Sequence, residues 1–352
     1  MSSSERAADQ VAGAPASSEP LTLPPFGIGT AALGGMFDPV SADQAQAVLR
    51  GAVERGIRYV DTAPMYGLST AERRVGAFLD HVRGTEGLLV STKAGRLMRP
   101  RRWPGVPEQD NSFGWRNPGE FVQVYDYSHA GILRSVEDSL QRLGVATIDV
   151  VFVHDIGRDT HGDRNDVYLA QLRSGGYRAL AELKDAGVVR AVGVGVNEIP
   201  ALRDCLADTD LDCCLLANRF TLLSQPDSDE VFAECARRGV RLIAGGVYNS
   251  GVLAGGDHFL YERAPAEVRR RVGQLREVCD RFGVPLKAVA MQFVTGSGYF
   301  ACVMLGARDL TELDDSLAMA KLPVPEELWD ELARQGLVDE RWVAARRERA
   351  AK

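Results

Sequence analysis

Eight short β-rich runs alternate with amphipathic helical stretches along this chain of 352 residues, and most of the runs are continuously apolar, as strands buried on both faces are. This alternation, the buried parallel strands and a length ordinary for one such domain together predict a TIM (β/α)8 barrel with one extra C-terminal helix. A doubly wound open sheet shares the alternation and is the second candidate.

The runs are FGIGT (26–30), IRYVD (57–61), LLVSTK (88–93), IDVVFVH (148–154), VRAVGVGVN (189–197), DCCLLANR (212–219), VRLIAG (240–245) and CVMLGA (302–307). The first helix is expected from Ser41. Gln44 is placed to complete a capping box, and Ala47, Val48, Ala52 and Val53 fall on one face. Further helices are expected at 71–81, 129–143, 177–186, 199–207, 228–238, 266–282 and 310–320, with the extra C-terminal helix over 325–349. The opening MSSSERAADQVAGAPASSEP is polar and lacks the apolar core of a secretion signal. Residues 1–20 are therefore expected to be a disordered extension, with 21–352 a single barrel domain.

Composition narrows the function classes. A net charge of −7 argues against a general nucleic-acid or anionic-membrane partner, and no window reaches the apolar length of a membrane span. A small-molecule substrate is the expected partner. None of the six cysteines forms a C-x-x-C pair, and the adjacent Cys213 and Cys214 would point to opposite faces of a strand. They are expected to be small buried hydrophobes in a reducing cytoplasm. No metal site is expected, because the histidines lack ligand spacing.

The stretch YVDTAPMYG (59–67) ends an apolar run in a carboxylate, Asp61, and displays a phenol, Tyr66, just beyond it. In a TIM barrel the C-terminal ends of strands face the active site. Lys93 ends the third run and His154 the fourth, so four polar groups are expected at one mouth. Taken singly, each also suits a structural role, such as a cap, a loop aromatic, an ion pair or a satisfied core histidine. Together they suit proton transfer. An ammonium near a phenol lowers a pKa that is ordinarily near 10, Asp61 would hold Lys93, and His154 would hydrogen-bond the reacting oxygen. No Ser or Cys comes with its own base. What remains is a carbonyl or alcohol exchanging hydride with a nicotinamide.

These residues carry a resemblance to the aldo-keto reductase superfamily, running from about residue 24 to 335. The matching pieces are GIGTAALGG (27–35), GIRYVDTAPMYG (56–67), AERRVGAFL (71–79), STKAGR (91–96), RSVEDSLQRLGVATIDVVFVHD (134–155) and LGARDLTELDDSL (305–317). The family's Asp, Tyr, Lys, His tetrad falls on Asp61, Tyr66, Lys93 and His154. The resemblance implies a barrel fold and a cofactor, NAD(H) or NADP(H), bound extended across the mouth. It also makes 27–35 the first strand and its loop. The glycines there only mimic a dinucleotide fingerprint, since Phe37, Asp38 and Pro39 intervene before the helix.

The resemblance further implies cofactor contacts from Thr30, Asn197, Asn218 and Ser250, and from the loop after the eighth strand through Gly306, Arg308, Asp309, Glu312, Asp315 and Ser316. Gly245 and Gly246 stand where many members carry the ring that stacks on the nicotinamide, so either another ring supplies the stack or hydrogen bonds alone hold it. Arg308 could pair with a 2′-phosphate, but Asp309 follows where many NADP-using members carry Ser or Thr. NAD is the expected cofactor, with NADP as the alternative.

Within the superfamily the chain is similar to the D-threo-aldose 1-dehydrogenases, through GRLMRP, YDYSHAGILRSVEDSL, VHDIGRDTHG, GVGVNE and LLANRFTLLSQ. Pyridoxal 4-dehydrogenases share much of this pattern. The long loop 94–127 carries Arg96, Arg99, Arg101 and Arg102 beside Trp103, Phe113 and Trp115, a set suited to a hydroxylated ring, with Arg96 and Trp115 the candidate substrate contacts. The implied activity is oxidation of an aldose C1 hydroxyl (L-fucose, L-galactose or D-arabinose type) to a lactone. The alternatives are dehydrogenation of pyridoxal, reduction of a biosynthetic aldehyde or ketone, and a nonenzymatic cofactor-binding subunit.

Overall fold

The computed structural model describes residues 21–82, 87–105, 114–225 and 228–350. The extension expected over residues 1–20, and Phe113, lie outside the described residues.

The chain runs β1 (Phe26–Gly29), α1 (Ala42–Glu54), β2 (Tyr59–Asp61), α2 (Thr70–His81), β3 (Leu89–Ala94), β4 (Arg96–Pro100), β5 (Phe121–Tyr125), α3 (His129–Leu143) and β6 (Ile148–His154). Then come α4 (Arg158–His161), α5 (Asn165–Gln171), α6 (Tyr177–Asp185), β7 (Val189–Val196), α7 (Ile199–Asp208), β8 (Cys213–Ala217), α8 (Asp229–Arg237) and β9 (Arg241–Gly245). The last part holds β10 (His258–Phe259), β11 (Glu262–Arg263), α9 (Ala266–Arg281), α10 (Leu286–Thr295), β12 (Phe300–Gly306), α11 (Leu310–Met319), α12 (Glu326–Arg334) and α13 (Glu340–Ala350).

Eight of these strands close a parallel barrel in the order β1-β12-β9-β8-β7-β6-β3-β2. The expected barrel is present, and the open sheet is excluded. Its two cores have separate compositions. Inside the barrel, Tyr59, Val150, Phe152, Ile243 and Met304 pack together, and Leu21 and Leu23 seal the end where the strands begin. Between barrel and helices lies the larger shell, built from the other face of the same strands. Cys213 belongs to the inner core and Cys214 to the outer, as the two-residue period of a strand requires. The first helix has its capping box, with the Ser41 side chain accepting from the Gln44 backbone N–H and Gln44 reaching back to Ser41. Such a cap typically contributes about 1 kcal/mol.

Three expectations need correction. The loop 94–127 carries a hairpin: Gly95, at φ 100°, lets the chain turn out of β3 into β4, which pairs antiparallel with β5. The C-terminal helix is two helices, α12 and α13, broken where Gly336 takes φ 64°. And α10 was not expected at all. Seven of its residues are buried, so it lacks the polar face that makes a helix legible.

Candidate functional site

Parallel register brings the candidate residues to one end. Asp61 closes β2 opposite Gly29 and Ser91, and His154 closes β6 opposite Gly195. Tyr66 follows in the turn after β2. All four predicted side chains meet there, three of them at the floor of a cleft of about 740 Å³ that Tyr66, Lys93, His154, Trp115 and Arg96 help to line.

Lys93 is the hub. Its ammonium donates to Asp61 Oδ2 at 2.7 Å and to the Thr62 carbonyl at 2.9 Å, and lies 4.5 Å from the centre of the Tyr66 ring. Ser91 Oγ donates to the other Asp61 oxygen at 2.7 Å. The His154 ring meets Tyr66 edge-on, with centroids 6.1 Å apart. Burial, together with the positive charges of Arg96 and Lys93, pushes the His154 pKa well below its ordinary value, so the ring is neutral. The expected lowering of the Tyr66 pKa is not found. Burial raises it well above 10, and Asp61 and Asp155 add to the rise, with only Arg96 opposing. Lys93 is already matched by Asp61, so little of its charge is left for the phenol. Tyr66 therefore rests protonated.

Arg96 and Trp115 both reach the cleft, but in different ways. Arg96 is buried and committed: Nη2 donates to Asp155 Oδ2 at 2.6 Å and Nη1 to Gln123 Oε1 at 3.3 Å, while the guanidinium sits 5.3 Å over Tyr125. It is neutralised by Asp155, yet it lines the cleft and its Nε has no partner among the described residues. Trp115 packs 6.0 Å from Tyr66, and its indole N–H is buried with no partner among the described residues. Arg99, Arg101 and Arg102 lie at the outer end of the hairpin, and Trp103 is 56% exposed.

The cofactor candidates divide. Asn197 lines the cleft, yet its amide nitrogen donates to Asp155 Oδ1 at 2.8 Å. Asn218 donates to the Tyr261 hydroxyl at 3.0 Å, and its buried Oδ1, packed against Gly246, has no partner among the described residues. Ser250 Oγ accepts from the Tyr261 backbone N–H. Around α11, Asp309 caps the helix by accepting from the Glu312 N–H at 2.9 Å, and Arg308 is held by Glu312 and Asp38. Gly306 opens to empty space. Of the ten candidates only Asn197 lines the cleft itself. Thr30 is fully buried and donates to the Asp61 carbonyl at 3.0 Å, Asp315 pairs with Lys287 of α10, and Ser316 is buried. A dinucleotide nevertheless suits this rim. The unsatisfied Asn218 oxygen is an acceptor of the kind a carboxamide N–H needs.

Sequence reading missed Asp155, Tyr261 and a set of rings behind His154. Tyr127 OH donates to the His154 carbonyl at 2.7 Å, which leaves His161 Nε2 to donate to the phenol oxygen at 3.0 Å. Tyr125 and Tyr168 complete the set. Asp155, as the neighbour of His154, was the one recoverable signal. Among the described residues no three His, Cys, Asp or Glu side chains gather as a metal site would, and no helix is long and apolar enough to cross a membrane.

A closed parallel barrel with a polar cleft at the strand ends, floored by an acid, a lysine, a phenol and a neutral imidazole, defines an α/β-barrel enzyme. The particular class follows from comparison: the chain belongs to the aldo/keto reductase family, whose model matches residues 25–335. These are oxidoreductases that use nicotinamide cofactors. A pyridoxal 4-dehydrogenase of Microbacterium luteolum is 42% identical over 328 residues, covering 90% of this chain and 95% of the relative. A D-threo-aldose 1-dehydrogenase of a Pseudomonas species is 37% identical over 325 residues, with the same coverage. A solved aldo-keto reductase of Bacillus halodurans in its holo form superposes with a TM-score of 0.66 at 21% identity, over 89% of this chain and 92% of that one, and shares the fold.

Proposed function

We propose that the protein is an NAD-dependent dehydrogenase that oxidises the C1 hydroxyl of a ring-form aldose of the L-fucose, L-galactose or D-arabinose type, giving a lactone. One observation carries the reading: Lys93 bridges Asp61 and the Tyr66 ring at the floor of the cleft, beside a neutral His154. The 37% identical aldose dehydrogenase supports the substrate class. A bound nicotinamide would supply hydride acceptance, held by Asn218, Ser250 and the Gly306–Glu312 rim.

The chain's own residues manage the proton. His154, being neutral, donates a hydrogen bond to the reacting oxygen and orients it towards Tyr66. Tyr66 takes the hydroxyl proton in oxidation and returns it in reduction. Because burial raises its pKa, Tyr66 must shed its own proton before oxidation. That proton goes to solvent, and Arg96 and what remains of the Lys93 charge beyond its pairing with Asp61 would offset the phenolate then formed. The six free, buried cysteines support a reducing, cytoplasmic setting.

The test follows absorbance of reduced nicotinamide with a panel of aldoses and pyridoxal. L-fucose, L-galactose or D-arabinose should turn over far better than D-glucose, with slow acid release as the lactone opens. The second reading, pyridoxal 4-dehydrogenation, is favoured by the 42% identical relative. Turnover of pyridoxal with none of these sugars would replace the first reading.

A further inference from the structure

Asp155 is a part-buried carboxylate with no assigned work. It follows His154 in a left-handed conformation, φ 43°, which a non-glycine residue adopts only where its surroundings impose it. The backbone is fixed there by its N–H, which donates to the Gly195 carbonyl at 2.7 Å. That conformation turns the side chain onto the cleft wall rather than into the shell of helices. Oδ2 accepts from Arg96 at 2.6 Å and stands 3.4 Å from His154 Nε2, while Oδ1 accepts from Asn197 at 2.8 Å. A carboxylate offers about four lone-pair sites, so acceptor capacity remains. Burial raises its pKa, and the charges of Arg96 and Lys93 and the hydrogen bond from Asn197 oppose that rise.

We infer that Asp155 is a specificity-determining residue that accepts a hydrogen bond from the hydroxyl on the carbon next to the reacting one. This rests on the aldose reading of the same site. The placement follows from geometry. If His154 Nε2 holds the oxygen at the reacting carbon, the oxygen on the adjacent carbon falls beside Oδ2, the carboxylate atom nearest that nitrogen. Arg96 and Asn197 hold Asp155 in place, the guanidinium through Nη2 and the amide through its nitrogen. The substrate class is therefore a cyclic hemiacetal with a free hydroxyl donor vicinal to C1, and a 2-deoxy sugar is rejected.

The experiment compares L-fucose with 2-deoxy-L-fucose on the full-length enzyme with NAD. The wild type should prefer L-fucose by at least about 10²-fold in kcat/KM, since a site built around a hydroxyl discriminates strongly against its absence. Asp155→Ala should reduce that preference to within about tenfold, through a raised KM for L-fucose and little change for the deoxy sugar. Because this variant leaves Arg96 buried without its counter-ion, the same ratio is measured on Arg96→Met/Asp155→Ala, with dinucleotide binding followed by protein fluorescence as the check on folding. Equal losses on both sugars, with the wild-type preference kept, would overturn the assignment and leave the aldose reading standing. Oxidation of neither sugar by the wild type would overturn the aldose reading and this assignment with it.

Discussion

Tyr66 and Lys93 share one small space, and we propose that they act as a unit. The ammonium is 4.5 Å from the ring, and among the described residues no other cation is stacked on it. Tyr66→Phe should therefore remove about 10²–10⁴-fold of turnover while nicotinamide still binds, and Lys93→Met should act similarly. Near-wild-type kcat in Tyr66→Phe would dismiss the assignment. A second residue-scale consequence concerns histidines held neutral. Burial lowers the His161 pKa from 6.5 to about 4 and lowers His154 as well. Below pH 6.5 the unfolded chain takes up protons that the folded chain refuses, so stability falls as the pH drops from 6.5 and levels near 4. Melting temperatures measured from pH 7 to 4 should show that fall, and His161→Phe should shrink it; an unchanged slope in that variant would contradict the buried-neutral ring.

At the scale of elements, we propose that the loop from β12 into α11 selects the cofactor. Arg308 is the one cation predicted from sequence for a 2′-phosphate, but Glu312 and Asp38 both hold it, and Asp309 sits beside it. A phosphate there would meet three carboxylates, whereas a free 2′-hydroxyl finds acceptors. The ratio of kcat/KM for NAD to that for NADP should exceed one, and Glu312→Gln should narrow it by freeing Arg308. A clear NADP preference in the wild type would reverse the assignment. The hairpin β4–β5 matters for a different reason. It carries Arg96 in and, through Gln123, helps lock the guanidinium against Asp155, so a segment that looked like a basic loop is a wall of the cleft.

For the whole molecule, the closed barrel has its inner core sealed at the base by Leu21 and Leu23, and we propose that the folded domain begins there. Removing residues 1–20 should leave the melting temperature and activity unchanged. Removing 1–25 should destabilise markedly, because each buried leucine contributes roughly 1.5–3 kcal/mol. Equal melting of both deletions would show that the base needs no seal.

The sequence by itself determined the barrel, its strand ends and the four residues gathered there. Strands buried on both faces read as apolar runs, and Asp61, Lys93 and His154 each lie at the end of one, so placement followed from local pattern. Composition alone carried the cysteines to the core. It could not locate α10, whose burial erases periodicity, nor the break at Gly336 inside a helical pattern. Only the tertiary structure decided the electrostatics. The Tyr66 phenol was expected to be acidified by Lys93, yet Asp61 takes that charge and burial dominates. Arg96 was read from sequence as a basic group of a loop, and its pairing with Asp155, 59 residues away in sequence, is a product of the fold. Tyr127, His161 and Tyr261 gain their roles from partners that no spacing links. A pKa or a hydrogen bond belongs to a neighbourhood in space, and that neighbourhood exists only once the barrel has closed.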